Sequence, residues 1–154
     1  APLLFARQPT WPLRRVLLIV QGETWDGEAT DWTLRLAEPS GASVTALAVL
    51  APAPALRRGA ERMEGGLAEL LATETPLGRQ MRQVARRLVD RDVESTLRLC
   101  QGSPELEIRR ELAEARIDLL VLGRGPRGRA RRSNQDDLAV SLAGIIDRPM
   151  LVAS

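Results

Sequence analysis

Five short apolar runs, separated by amphipathic segments, limit what this chain can fold into. They are Arg14–Val20, Ala42–Leu50, Val93–Cys100, Asp118–Leu122 and Met150–Ala153. Runs with little alternation mark strands buried on both faces, as in a parallel sheet. Only Val93–Cys100 alternates, through Val93, Ser95, Leu97 and Leu99. The segments between them read as helices. Ala29–Ala37 spaces Ala29, Trp32, Leu34, Leu36 and Ala37 among Arg and Glu, and Pro39-Ser40-Gly41 stops it. Arg57–Thr73 is mildly helical, weakened by Gly65-Gly66. Thr75-Pro76 offers an N-cap and a first-turn proline, and Leu77, Met81, Val84 and Leu88 lie beyond it on one face. Gly102-Ser103-Pro104-Glu105 opens another helix, running to Arg116 with Leu106, Ile108, Leu112 and Ala115 inward. The last helix, Asp136–Ile146, is expected to take Asp136 as its cap.

Strict β-α alternation predicts a doubly wound α/β domain. It has a five-stranded parallel sheet, helices on both faces and right-handed crossovers. A length of 154 residues suits one such domain. Residues 1–12, punctuated by Pro2, Pro9 and Pro12, read as an extended leader or linker, and 13–154 as the domain itself. Folds of this kind bind ligands at the carboxyl ends of the strands, near the switch in strand order. The candidate site therefore lies in the loops after Val20, Val49 and Leu122.

Composition removes several function classes. The chain has no His and all 22 of its basic residues are Arg. No imidazole base, Ser-His-Asp set or lysine-bearing phosphate loop is available. A net charge of +2 makes no case for a nucleic-acid or membrane partner. One cysteine, Cys100, rules out an internal disulfide and a Cys-rich zinc site, and its apolar run makes it a buried structural thiol. With neither a signal peptide nor a membrane span in the sequence, the expected location is the cytoplasm.

Several stretches in order resemble the universal stress protein family. Arg15–Gly22 with Asp31–Ala37 resembles its opening strand, turn and first helix. Gly102-Ser103-Pro104, Ile108 and Asp118-Leu119-Leu120-Val121-Leu122-Gly123 resemble its G-x-P-x-x-x-I and D-L-I-V-x-G stretch. Pro149-Met150-Leu151-Val152 resembles its closing P-V-L-V strand. The resemblance spans roughly residues 14 to 153. It implies a regulatory or stress-response binding domain, non-catalytic apart at most from weak ATP hydrolysis. It also implies pairing through Met150–Ala153, as a homodimer or with a tandem sister domain, because that strand edge would otherwise be open.

Nucleotide-binding members of that family carry G-x2-G-x9-G-[ST] after the fourth strand, and an Asp at the end of the first. Here Gly123 matches the first glycine, Pro126 stands at the second, and Asp136 and Asp137 replace the final Gly-Ser. Gln21 stands where the Asp is expected, with Gly22 and Glu23 next. Proline removes one amide donor, and carboxylates at 136, 137 and 23 oppose a polyanion. The resemblance, read at these positions, implies no ATP cofactor held in the usual family manner. The alternative is an adenine nucleotide, ATP or AMP, with or without Mg, held by a remodelled loop. In that loop Arg124, Gly125, Arg127 and Gly128, with Arg129, Arg131 and Arg132 beside them, would supply the donors. The bland reading is a solvated loop whose Arg residues pair with Asp136, Asp137 and other acids. The candidate crevice residues are thus Gln21, Gly22, Glu23, Val49, Gly123, Arg124, Gly125, Arg127, Gly128, Asp136 and Asp137. Trp32 reads as core, and Trp25 as a cover for the crevice.

Overall fold

The computed structural model describes residues 3–5, 12–22, 26–50, 66–123 and 134–153. The side chains of residues 3–5, 134–137 and 140 are not part of that description. The strands are β1 (Leu3–Phe5), β2 (Arg15–Val20), β3 (Ser43–Leu50), β4 (Ser95–Gln101), β5 (Leu119–Gly123) and β6 (Met150–Ala153). The helices are α1 (Asp26–Ser40), α2 (Gly66–Leu71), α3 (Pro76–Asp90), α4 (Pro104–Glu114) and α5 (Asn134–Ile145). One sheet runs β1-β6-β5-β2-β3-β4. Its five strands from β6 to β4 are parallel, and β1 joins antiparallel to β6.

The parallel five match the expected strands, and β1 is an addition. Leu3-Leu4-Phe5 lies inside the Pro-punctuated leader, where three apolar residues are too few to show a period. The pairs Leu3↔Val152, Leu4↔Leu151 and Phe5↔Met150 pair the β6 edge within the chain, the edge expected from the sequence to be open. The opposite edge, β4, ends the sheet with polar cover. Arg98 on β4 pairs with the largely buried Glu111 of α4 at 2.7 Å, and Thr96 and Gln101 are exposed. A charge on an edge strand discourages pairing with other chains.

Each face of the sheet has its own core. Val16, Leu18 and Val20 point to one face, with Leu34 of α1 and Met81, Val84 and Leu88 of α3. Leu17 and Ile19 point to the other, with Ile108 and Leu112 of α4 and Leu138 and Leu142 of α5. This is why the runs do not alternate: both faces of the strand are buried. Cys100 belongs to the second core, and burial, with the Glu107 carboxylate nearby, pushes its thiol up to about 11. Trp32 is half-buried against the first core, with the Arg35 guanidinium 5.3 Å from its ring centroid.

Several helix boundaries and one facing differ from expectation, and α1 begins at Asp26, three residues before the expected Ala29. Helix α1 runs through Pro39 to Ser40. Ser40 Oγ donates to Leu36 O at 2.7 Å, and Gly41 takes φ +68° just beyond. A proline that late in a helix removes only one hydrogen bond of the final turn. Helix α5 begins at Asn134, so Asp136 lies in its first turn and is not the cap. Ser133 and Asn134 are capping residue types as good as Asp136, so the sequence alone leaves the start ambiguous. Helix α4 ends at Glu114, two residues early. Leu106 is 61% exposed, because the inward set Ile108, Glu111 and Leu112 lies on the opposite side of α4. The Thr75 cap is as expected, with its side chain accepting from Gly78 N at 3.1 Å. Of the segment Arg57–Thr73, α2 covers Gly66–Leu71, and 57–65 lie outside the described residues.

Candidate functional site: the crevice at the strand switch

Strand order reverses between β2 and β5. From β2 the chain proceeds to β3 and β4 on one side, and from β5 to β6 on the other. The β2–β5 ladder covers only Val16↔Leu119 to Leu18↔Val121, while β2 and β3 pair over six positions as far as Val20↔Ala48. The carboxyl ends of β2 and β5 thus bound the crevice where ligands bind in doubly wound folds.

The described members of the predicted set lie at or near strand ends or in the first turn of α5. Gln21 and Gly22 come directly after β2, Gly123 closes β5, and Val49 lies near the end of β3. Asp136 and Asp137 lie in the first turn of α5, the helix that comes after β5. Glu23, Trp25, Arg124, Gly125, Pro126, Arg127, Gly128, Arg129, Arg131 and Arg132 lie outside the described residues.

Sequence reasoning missed the residue that organises the turn. Asp26 is the first residue of α1 and is 1% exposed. Its carboxylate accepts from Gln21 N at 3.2 Å and from Gly22 N at 2.8 Å. A carboxylate taking backbone amides at a helix start also faces the positive end of the helix dipole. The signal was available: Asp26-Gly27-Glu28 precedes Ala29 with the acids of a first turn. The family pattern expects its Asp at position 21, at the strand end, and so does not point to the helix start.

Gly22 is needed at its place for two reasons. It has φ +81°, and a Cβ there would come within 2.9 Å of Leu77 N. The turn after β2 therefore rests directly on the first turn of α3. Gln21 is half-buried, and its Nε2 is buried with no hydrogen-bond partner among the described residues. A buried amide donor without an acceptor costs about 1–3 kcal/mol, so this group favours a ligand that supplies one.

The model of the universal stress protein family matches residues 12–140. The chain belongs to the universal stress protein family. Solved universal stress proteins share its fold. One from Lactobacillus plantarum is 19% identical with a TM-score of 0.66, covering 94% of this chain and 100% of that one. The Archaeoglobus fulgidus protein in complex with dAMP is 11% identical with a TM-score of 0.63, covering 94% and 100%. An Arabidopsis thaliana family protein with AMP bound is 15% identical with a TM-score of 0.59, covering 91% and 90%. No curated protein sequence matches the chain at a significant level. Among the described residues of this universal stress protein, no helix is long and apolar enough to cross a membrane.

Proposed function

We propose that this universal stress protein is a non-catalytic regulatory binding domain of the cytosol that does not hold ATP by the family's usual phosphate grip. The observation that carries the reading is the start of α5. Beginning at Asn134, it sets Asp136 and Asp137 in the first turn, where the family pattern has Gly and a hydroxyl residue. Two carboxylates there use up the dipole that would otherwise attract a polyphosphate. The buried Asp26 adds a third negative charge beside the crevice and takes the Gln21 and Gly22 amides for itself. Pro126 has no amide to offer.

A second reading has its own support. Solved relatives hold AMP and dAMP, and the buried Gln21 Nε2 favours an acceptor on a ligand. Under it, Arg124 and Arg127 supply the phosphate donors and the nucleotide is bound through a rebuilt loop. Calorimetry with Mg·ATP, AMP and cyclic AMP decides between the two. The first reading expects no heat of binding at millimolar nucleotide, and measurable ATP binding once Pro126→Gly, Asp136→Gly and Asp137→Ser are combined. Micromolar binding to the unaltered protein, lost in Arg124→Ala or Arg127→Ala, establishes the second.

A further inference from the structure

We infer that the outer stripe of α3 is a docking surface for an acidic amphipathic segment of another protein. That segment sets two carboxylates on Arg79 and Arg86, an apolar side chain on Val89 and a basic group on Asp90. Helix α3 carries four Arg and one Asp. Two of the four are engaged within the chain. Arg87 pairs with Asp31 of α1. Arg82 reaches Glu74 at 3.4 Å and donates to the carbonyls of Leu71 and Thr73. Just past the helix, Arg91 pairs with Glu38 of α1 at 3.2 Å. Arg79 and Arg86 are exposed and have no carboxylate partner among the described residues.

Their spacing is that of a single helix face. Seven residues apart, Arg79 and Arg86 lie on one side of α3, about 10 Å from each other along its axis. Gln83 is exposed between them, and Asp90 follows Arg86 by four residues. Beside them Val89 is 71% exposed, the most exposed large apolar residue among those described. The ion pairs to α1 and the grip of Arg82 on the α2–α3 turn hold the helix, so the stripe stands on a rigid element.

The order of charges selects the occupant. A guanidinium offers donors only, in a fork that matches a carboxylate. A uniformly anionic surface, whether a phosphate backbone or a bilayer, meets a like charge at Asp90. A protein segment can change sign along its length and also supply an apolar side chain to Val89. The longer internal segments outside the described residues are no match in composition. Residues 51–65 hold Arg57, Arg58 and Arg62 against Glu61 and Glu64, and residues 124–133 hold five Arg and no acid. The carboxylates therefore come from another chain. This inference goes beyond the reading of the crevice and does not depend on what the crevice holds.

Fluorescence anisotropy with the full chain and labelled Ala-based helical peptides of about 20 residues tests it. The matched probe carries Glu at two positions seven apart, Leu three residues beyond the second Glu, and Lys next to that Leu. A second probe has this order reversed, and a third has the same composition scrambled. One of the two ordered probes is expected to bind about ten-fold more tightly than the scrambled one, as two exposed ion pairs together allow. Arg79→Gln with Arg86→Gln keeps good helix formers on α3 and removes that preference. Val89→Ser weakens the same probe. Arg79→Glu with Arg86→Glu restores the preference for a probe that has Lys in place of Glu. Arg109→Gln, on α4 at the other face of the sheet, leaves it unchanged. Ordered and scrambled probes that bind alike overturn the inference. So does a single-stranded oligonucleotide or a phosphatidylserine vesicle bound more tightly than either ordered probe, or self-association of the chain that the Gln pair abolishes.

Discussion

Strand β2 is clasped at both ends by the same device, a carboxylate that accepts two successive backbone amides. At the amino end Asp118 takes Arg14 N and Arg15 N, and Arg15 Nη1 donates to Ala115 O at 2.7 Å. At the carboxyl end Asp26 takes Gln21 N and Gly22 N. The surroundings differ. Asp118 is half-buried among exposed hydrogen bonds, whereas Asp26 is fully enclosed beside the candidate crevice. The amino-end clasp fixes where the sheet begins. The carboxyl-end clasp also occupies the Gln21 and Gly22 amides at the candidate crevice.

The largest expected effect is at the crevice turn that Asp26 organises. Gly22→Ala adds a Cβ at φ +81° against the backbone of Leu77, and is expected to cost about 3 kcal/mol in denaturant unfolding. A cost under about 1 kcal/mol would mean that the turn relaxes freely and that the two ends are less different than they look.

Next come the clasps themselves. Asp26→Asn keeps the shape but loses the charge on two short contacts in a dry setting, with an expected cost of about 2 kcal/mol. Asp118→Asn, wetter and screened, is expected to cost about half as much, roughly 1 kcal/mol. Raising salt to about 1 M narrows the second loss more than the first. Equal losses at all salt concentrations would erase the distinction. Asp26→Asn also sharpens it in another way: combined with the α5 replacements, it is expected to strengthen Mg·ATP binding several-fold, and Asp118→Asn is not.

The last effect is confined to alkaline pH. With the Cys100 thiol held at about 11 against an ordinary 9.0, both states carry a neutral thiol below pH 9. Between pH 9 and 11 the unfolded chain ionises and the folded one does not, so stability falls by up to about 1.4 kcal/mol per pH unit. Comparison of unfolding midpoints across that range with Cys100→Ala isolates this slope, which the variant lacks.

Most of the fold was legible because burial on two faces leaves a plain record. Five runs such as Val16–Val20 and Leu119–Leu122 and the cap at Thr75 need no tertiary context to be read. Strand β1 was not legible, since three apolar residues between prolines acquire meaning only from the edge they meet. Leu106 was misread because Glu111, ion-paired to Arg98, takes an inward position that its chemistry alone would assign to solvent. In the crevice loops, Gln21, Gly22 and Gly123 were legible as strand ends, and that is where the structure has them. Asp26 was overlooked because its role depends on a turn that returns the start of α1 to the end of β2.

The contact between Gly22 and Leu77 makes the crevice and α3 one mechanical unit. No side chain stands between them to act as padding, so a ligand that shifts the turn must push the helix or be refused. News of occupancy would then travel along α3 toward its exposed outer surface, where Arg79, Gln83, Arg86 and Val89 face solvent.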